Sequence, residues 1–241
     1  MFAKSQAYPA HSLKKHHHQQ QPDMLKEFQE KLQPYHARLV AVSKTQPNEQ
    51  IMELYRQGQR DFGENKVQEL AAKYEALPKD ISWHLIGHLQ TNKVKYIAPF
   101  VACIHSVDSL KLLQEIDKQA ARCQRTINCL LQFHIAEETT KYGLSLPEAE
   151  ELLQSAECKA LKHVNITGVM GMATFTEDED QILREFRQLA AIFRQLKNKF
   201  FADSPGFREL SMGMSGDYQI ALEEGSTMVR IGTLLFGERQ K

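Results

Sequence analysis

From Met24 onward, short apolar runs that alternate with period two trade places with segments whose apolar positions recur every three to four residues. Arg38–Ser43 (RLVAVS), Ser82–Ile86, Phe100–His105, Ile127–Phe133, Ile166–Met170, Glu209–Met212 and Met228–Ile231 read as strands, with Asp61–Phe62 as a minimal second strand. Between them Pro47 opens a helical stretch to about Gln57. Thr176-Glu-Asp-Glu179 has the form of a capping box ahead of Ile182, Phe186, Leu189, Phe193 and Leu196, which share one helical face. Ser145-Leu-Pro-Glu148 repeats that logic for a helix through about Leu153. Eight strands alternating with helices over roughly 200 residues predict an α/β fold, a single (β/α)8 TIM-type barrel preceded by an N-terminal helix. An open doubly wound sheet is the alternative.

Residues 1–23 break this pattern. Two prolines and a Lys-Lys-His-His-His run followed directly by three consecutive glutamines leave too little apolar surface to offset ordering entropy, so a disordered tail is expected there. Residues 24–241 are then the barrel, and Met24 is an alternative start. His16–His18 could bind a metal, but a solvated tail is the reading their composition favours, and no metal site is expected. The chain carries 30 basic and 30 acidic residues, so nothing draws the whole molecule to nucleic acid or an anionic membrane. No run approaches the length of a membrane span and no signal-peptide core precedes the first strand, so a cytoplasmic location is expected. Cys103, Cys123, Cys129 and Cys158 show no metal-ligand spacing and read as reduced thiols.

Chemistry in such a barrel gathers at the carboxyl ends of the strands, often with a phosphate site after strands seven and eight. On the first strand Val40, Val42 and Lys44 share a face, which would point Lys44 into the mouth; desolvation there would favour its neutral, nucleophilic amine. A lysine reaching solvent is the plainer alternative. On the last strand, Arg230 alternates with Val229 and Ile231, and an inward placement costs less if a ligand meets the guanidinium. A salt-bridged barrel arginine would look the same in sequence. Gly232 and Thr233 follow at once, and Ser211-Met-Gly-Met-Ser-Gly-Asp217 follows strand seven; together they suit an anion. Asn65 could cap the next helix, and His84 and His88 could be core or loop histidines. Gly143 and Met170-Gly-Met172 suit turns and packing.

Taken together, AVSKT at 41–45, FGENKVQE at 62–69, WHLIGHLQTNK at 83–93, SVDS at 106–109, KYG at 141–143, GVMGM at 168–172, SMGMSGD at 211–217 and GSTMVRIGTLLFG at 225–237 resemble the pyridoxal-phosphate homeostasis protein family. The resemblance covers residues 38–241. It implies a barrel like the N-terminal domain of alanine racemase, with pyridoxal 5'-phosphate (PLP) held as a Schiff base on Lys44. It also implies that Asn65 lies near the cofactor, that Ser215, Gly232 and Thr233 bind the phosphate, that Arg230 faces the pyridine nitrogen, and that His84 and Met172 line the pocket.

The resemblance further implies a binding protein that buffers or delivers PLP, with effects on amino-acid and keto-acid balance, rather than an enzyme. An arginine cannot accept the ring proton, so the electron sink would be weak. Alanine racemase supplies its second base from an additional β-domain, for which this chain leaves no residues. A barrel-only racemase or lyase is the alternative, and a phosphosugar aldolase without cofactor a third. The expected partners are PLP and PLP-dependent apoenzymes, and the expected state is a monomer.

Overall fold

The computed structural model describes residues 24–137 and 142–237. The expected tail, the His16–His18 run and Lys141 lie outside the described residues. Helix α1 (Met24–Leu32) precedes β1 (Arg38–Val42), α2 (Asn48–Arg56), β2 (Asp61–Glu64), α3 (Val67–Ala76) and β3 (Ser82–Leu85). Then come β4 (Cys103–Val107), α4 (Leu110–Arg122), β5 (Ile127–Phe133), α5 (Leu146–Gln154), α6 (Ala156–Lys159) and β6 (Val164–Gly171). The chain closes with α7 (Glu179–Phe200), β7 (Glu209–Ser211), α8 (Tyr218–Glu223), β8 (Met228–Ile231) and α9 (Thr233–Phe236).

The eight strands pair in sequence order, all in parallel, and β8 returns to β1 with Arg38 beside Met228 and Ala41 beside Ile231. That closing pair confirms the (β/α)8 barrel and excludes the open sheet. Strand alternation divides the interior as period two requires. Leu39, Ala41, Phe62, Trp83, Val229 and Ile231 join a large apolar shell that includes the buried helix residues Ile51, Leu70, Ile116 and Phe186. Each such side chain contributes about 1.5–3 kcal/mol by leaving water. A separate small cluster of Cys103, Leu130 and Met170, with Met172 against it, belongs to the opposite parity.

Two helix starts test the capping argument. At α5 the box forms as expected, with Ser145 Oγ accepting from the Glu148 amide and Glu148 accepting from the Ser145 amide. At α7 it does not form at Thr176. Asp178 is the N-cap, accepting from the Gln181 amide at 3.1 Å, while Thr176 Oγ1 accepts from the Asp178 amide and holds the preceding turn. A carboxylate next to the first helical turn meets the positive helix end more strongly than a hydroxyl does. Between β3 and β4 the link is a 3-10 segment, Thr91–Tyr96.

Candidate functional site

A cavity of about 660 Å³ opens at the carboxyl ends of the strands. Seven of the eight residues singled out in the sequence line it: Lys44, Asn65, Met172, Ser215, Arg230, Gly232 and Thr233. They come from five different strand ends, so only closure of the barrel brings them together.

Lys44 sits where β1 turns away. The Gln46 amide donates to Ser43 O at 3.0 Å, closing a four-residue turn whose third member, Thr45, has φ 65°. A β-branched residue rarely adopts this left-handed conformation, so the surroundings must impose it. They do. The Thr45 amide donates to Glu69 Oε1 at 2.6 Å, and Ser43 Oγ donates to Glu64 Oε1 at 2.6 Å. Beneath the turn, Lys73 Nζ donates to Ser43 O (2.6 Å), Glu64 Oε1 (2.7 Å) and Glu69 Oε1 (2.8 Å). Burial raises the Glu64 carboxyl above its ordinary range, only partly opposed by Lys73 and Ser43, and Glu64 Oε2 has no hydrogen-bond partner among the described residues. Burial also pulls Glu69 upward, but Lys73 and the Thr45 amide outweigh it and the net shift is down. In sequence this clamp is invisible, because Lys73 and Glu69 read as an ordinary helical i,i+4 pair.

The opposite wall is built from the ends of β7 and β8. Arg230 is buried; its Nη1 donates to Ser211 Oγ at 2.6 Å and its Nη2 to Gly171 O at 3.0 Å. These bonds use two of the guanidinium's five donors. Burial draws the Arg230 pKa down to about 10, opposed by the charge of Asp217, so the group stays cationic at neutral pH. The Arg230 amide donates to Gly213 O, tying β8 to the loop after β7. Gly213 has φ +94°, and a Cβ there would lie 2.7 Å from that of Ala221, so no other residue fits. The Met214 amide donates to Asp217 Oδ1 at 2.6 Å, folding the loop so that Met214, Ser215, Gly216 and Asp217 all face the cavity with Gly232 and Thr233.

Asn65 is not a cap, since Lys66 holds the N-cap position of α3 without a side-chain bond. Instead its backbone lies against Gly87, where a Cβ would come within 2.3 Å of Asn65 O. His84 departs from expectation. It is buried in the barrel below the cavity and lines a second one of about 390 Å³ at the amino-terminal ends, with Arg38, Ser82, Cys103, Asn128 and Glu209. Alternation correctly turned it inward. Strand stagger sets its depth, pairing His84 with Cys103 at the start of β4. The residue that reaches the upper cavity is His88, whose ring stacks on Tyr142 at 4.1 Å and whose Nδ1 lies 3.7 Å from Asp108 Oδ2. Gln132 joins it, donating to Tyr142 O at 3.0 Å. The HxxxH spacing at 84 and 88 was the only signal for this pair of depths.

The family model described as alanine racemase, N-terminal domain, matches residues 23–240. The pyridoxal phosphate homeostasis protein of Aquifex aeolicus (strain VF5) is 42% identical over 205 residues, 85% of this chain and 88% of that protein. The chain belongs to the pyridoxal phosphate homeostasis protein family. The protein of that name from Escherichia coli (strain K12) is 37% identical over 213 residues, covering 86% of this chain and 87% of the other. PipY of Synechococcus elongatus PCC7942, solved without PLP, superposes with a TM-score of 0.82 at 35% identity, over 89% of this chain and 98% of PipY. The PLP-bound PipY structure gives 0.77 over the same shares. Alanine racemase of Clostridium difficile 630, at 12% identity and a TM-score of 0.67, shares the fold alone. Among the described residues no helix is long and apolar enough to cross a membrane.

Proposed function

We propose that this family member binds PLP in the upper cavity, held as a Schiff base on Lys44, and serves cytosolic PLP homeostasis by buffering or delivering the cofactor to apoenzymes. The observation that carries the reading is the pairing, across one cavity, of a rigidly seated lysine with a loop-built cradle at Ser215, Gly216, Gly232 and Thr233 and a buried cation at Arg230. The donor set fits the group. An amine answers the aldehyde, hydroxyl and glycine positions answer the phosphate, and a donor-only guanidinium answers an unprotonated ring nitrogen. Bound PLP supplies an aldehyde for reversible capture by an amine and an aromatic ring that withdraws electrons. Arg230 keeps that withdrawal weak because its proton stays on the guanidinium, which favours holding over turnover. Lys44 is kept in place by the Thr45 turn, and Asn65 and Met172 bound the sides of the cavity.

A second reading, a barrel-only racemase or lyase, is favoured by the stacked His88 and Tyr142, which bring an imidazole and a phenol to the same cavity. The visible spectrum and borohydride reduction of purified protein test the binding claim. A phosphopyridoxyl adduct on Lys44, absent in Lys44→Ala, is expected; an adduct elsewhere, or none, refutes it. Loaded protein given a panel of amino acids should show no turnover above free cofactor. A rate on the order of 1 s⁻¹ would establish the enzyme reading instead.

A further inference from the structure

A line of polar side chains crosses the barrel interior from the upper cavity to the lower one. Arg230 Nη1 meets Ser211 Oγ at 2.6 Å, Ser211 Oγ meets His105 Nδ1 at 3.1 Å, His105 Nε2 meets His84 Nδ1 at 2.9 Å, and His84 Nε2 meets Asp61 Oδ1 at 3.0 Å. Ser211, His84, His105 and Arg230 are all buried, while Asp61 is partly open to water. The two ends fix the direction of every bond. Arg230 can only donate and the Asp61 carboxylate can only accept. With both histidines neutral, the Ser211 hydroxyl therefore donates to His105 Nδ1, His105 Nε2–H to His84 Nδ1, and His84 Nε2–H to Asp61.

One added proton rewrites this order. On a charged His84 both nitrogens donate, so His105 must accept at Nε2 and carry its own proton at Nδ1. Ser211 Oγ then accepts from His105 and Arg230 together, and its hydroxyl proton leaves the line. The two states differ by one proton taken from water. His105 exchanges its Nε2 proton for one at Nδ1, and the added charge rests on His84 against Asp61. Burial first, then the charges of His84, Arg230 and Arg38, hold the His105 pKa well below its ordinary value, so it stays neutral in both states. We propose that Asp61, His84, His105 and Ser211 form a two-state proton relay through which the amino-terminal mouth of the barrel sets whether the Ser211 oxygen that accepts from Arg230 also gives its proton to His105 or takes a second hydrogen bond from it.

These four are positioning residues acting through Arg230, and their bearing on a bound cofactor rests on the reading above. The charged and titratable groups around His84 are Asp61 on β2, Arg38 on β1, Cys103 and His105 on β4 and, across the lower cavity, Arg208 and Glu209 at the start of β7. Burial pushes the Cys103 thiol up, so it does not compete for charge. His84, His105 and Cys103 place donor atoms within 4.8 Å of one another, a spacing that could also hold a metal ion. At 2.9 Å, however, the two facing ring nitrogens lie at the distance of a hydrogen bond between them.

Ring-nitrogen NMR of histidine- and arginine-labelled, cofactor-free protein tests the relay between about pH 5 and about pH 9. As pH falls, His105 should swap Nε2–H for Nδ1–H in step with charging of His84, and the Arg230 side-chain signals should move with it. Asp61→Asn should blur or abolish the tautomer swap, because an amide can donate as well as accept and no longer fixes the direction of the line. Ser211→Ala should keep the His84 step but lose the Arg230 response. A single fixed His105 tautomer throughout, or an Arg230 response surviving in Ser211→Ala, overturns the proposal. So does stoichiometric perturbation of both histidines by zinc alone, which would make the cluster a metal site. In PLP-loaded protein the visible band should follow the same step and lose it in Ser211→Ala. Failure to bind PLP at all would sink the functional reading while leaving the cofactor-free result to stand or fall by itself.

Discussion

Replacing Lys73 with methionine keeps most of the stem volume and removes only the ammonium, so the change isolates the clamp beneath Lys44. At 2.7 Å the attraction between Lys73 and Glu64 is about 6 kcal/mol at an effective dielectric of ~20, most of it offset in the native protein by desolvating both ions. Deleting one partner leaves the desolvation of the other uncompensated, which typically costs about 3–5 kcal/mol. Glu64 is fully buried and would lose the ammonium of Lys73, whereas Glu69 keeps a quarter of its side chain in water and suffers less. Because Glu64 can relieve part of the penalty by taking up a proton, the lower figure applies. Lys73→Met should cost about 3 kcal/mol, or roughly 6–12 °C in Tm for a chain of this size.

The pH dependence fixes the sign. Glu64 has a folded pKa raised by burial, and without Lys73 it rises further, so stability is lost as pH climbs through that folded value. Glu69 is depressed in the native protein, and its stabilisation, present above its unfolded pKa, disappears as pH falls through the folded one. The gap between wild type and variant should therefore be widest near neutrality and close on acidification. Urea unfolding at several pH values, with unchanged m, measures it. Adding Glu64→Gln to the variant should recover at least half of the loss. A deficit below about 1 kcal/mol at neutral pH, or one that widens in acid, would refute the account of the clamp.

Other outcomes follow from the cavity. Ser215→Ala and Thr233→Ala should each weaken PLP retention roughly 10- to 100-fold through a lost charge-assisted hydrogen bond, measured by dialysis against competing apoenzyme; unchanged affinity in both removes the phosphate assignment. Gly87→Ala drives a methyl group into Asn65 O and should destabilise by about 1–3 kcal/mol while displacing the Asn65 loop, visible as weakened PLP binding alongside a lowered Tm.

Much of this architecture was legible because period two carries over directly from sequence to barrel. Val40, Val42 and Lys44 share the inner face, and Arg230 turns inward between two shell residues, as the alternation of β1 and β8 required. Alternation says nothing of height along the barrel axis. His84 was therefore given the right face and the wrong level, and His88, one helical turn on in sequence but beyond the strand end, took its place at the cavity. The Lys73 clamp was illegible for a different reason. Its partners Ser43 and Glu64 come from neighbouring strands, and only β1–β2 pairing, with Val42 beside Gly63, brings them under one helix. The start of α7 slipped by two residues because Thr176 and Asp178 are both competent caps, and their choice depends on how the loop after β6 lands.

The bend at Thr45 has a mechanical corollary. Because the backbone is cinched on both sides of the bend, by Glu69 at Thr45 and by Lys73 at Ser43, the segment bearing Lys44 has no freedom to hinge outward. If Lys44 captures an aldehyde as proposed, the aldehyde must come to a backbone that stays where it is. Exchange of cargo would then be governed by the width of the entrance and the mobility of the opposite rim, rather than by the arm that holds it.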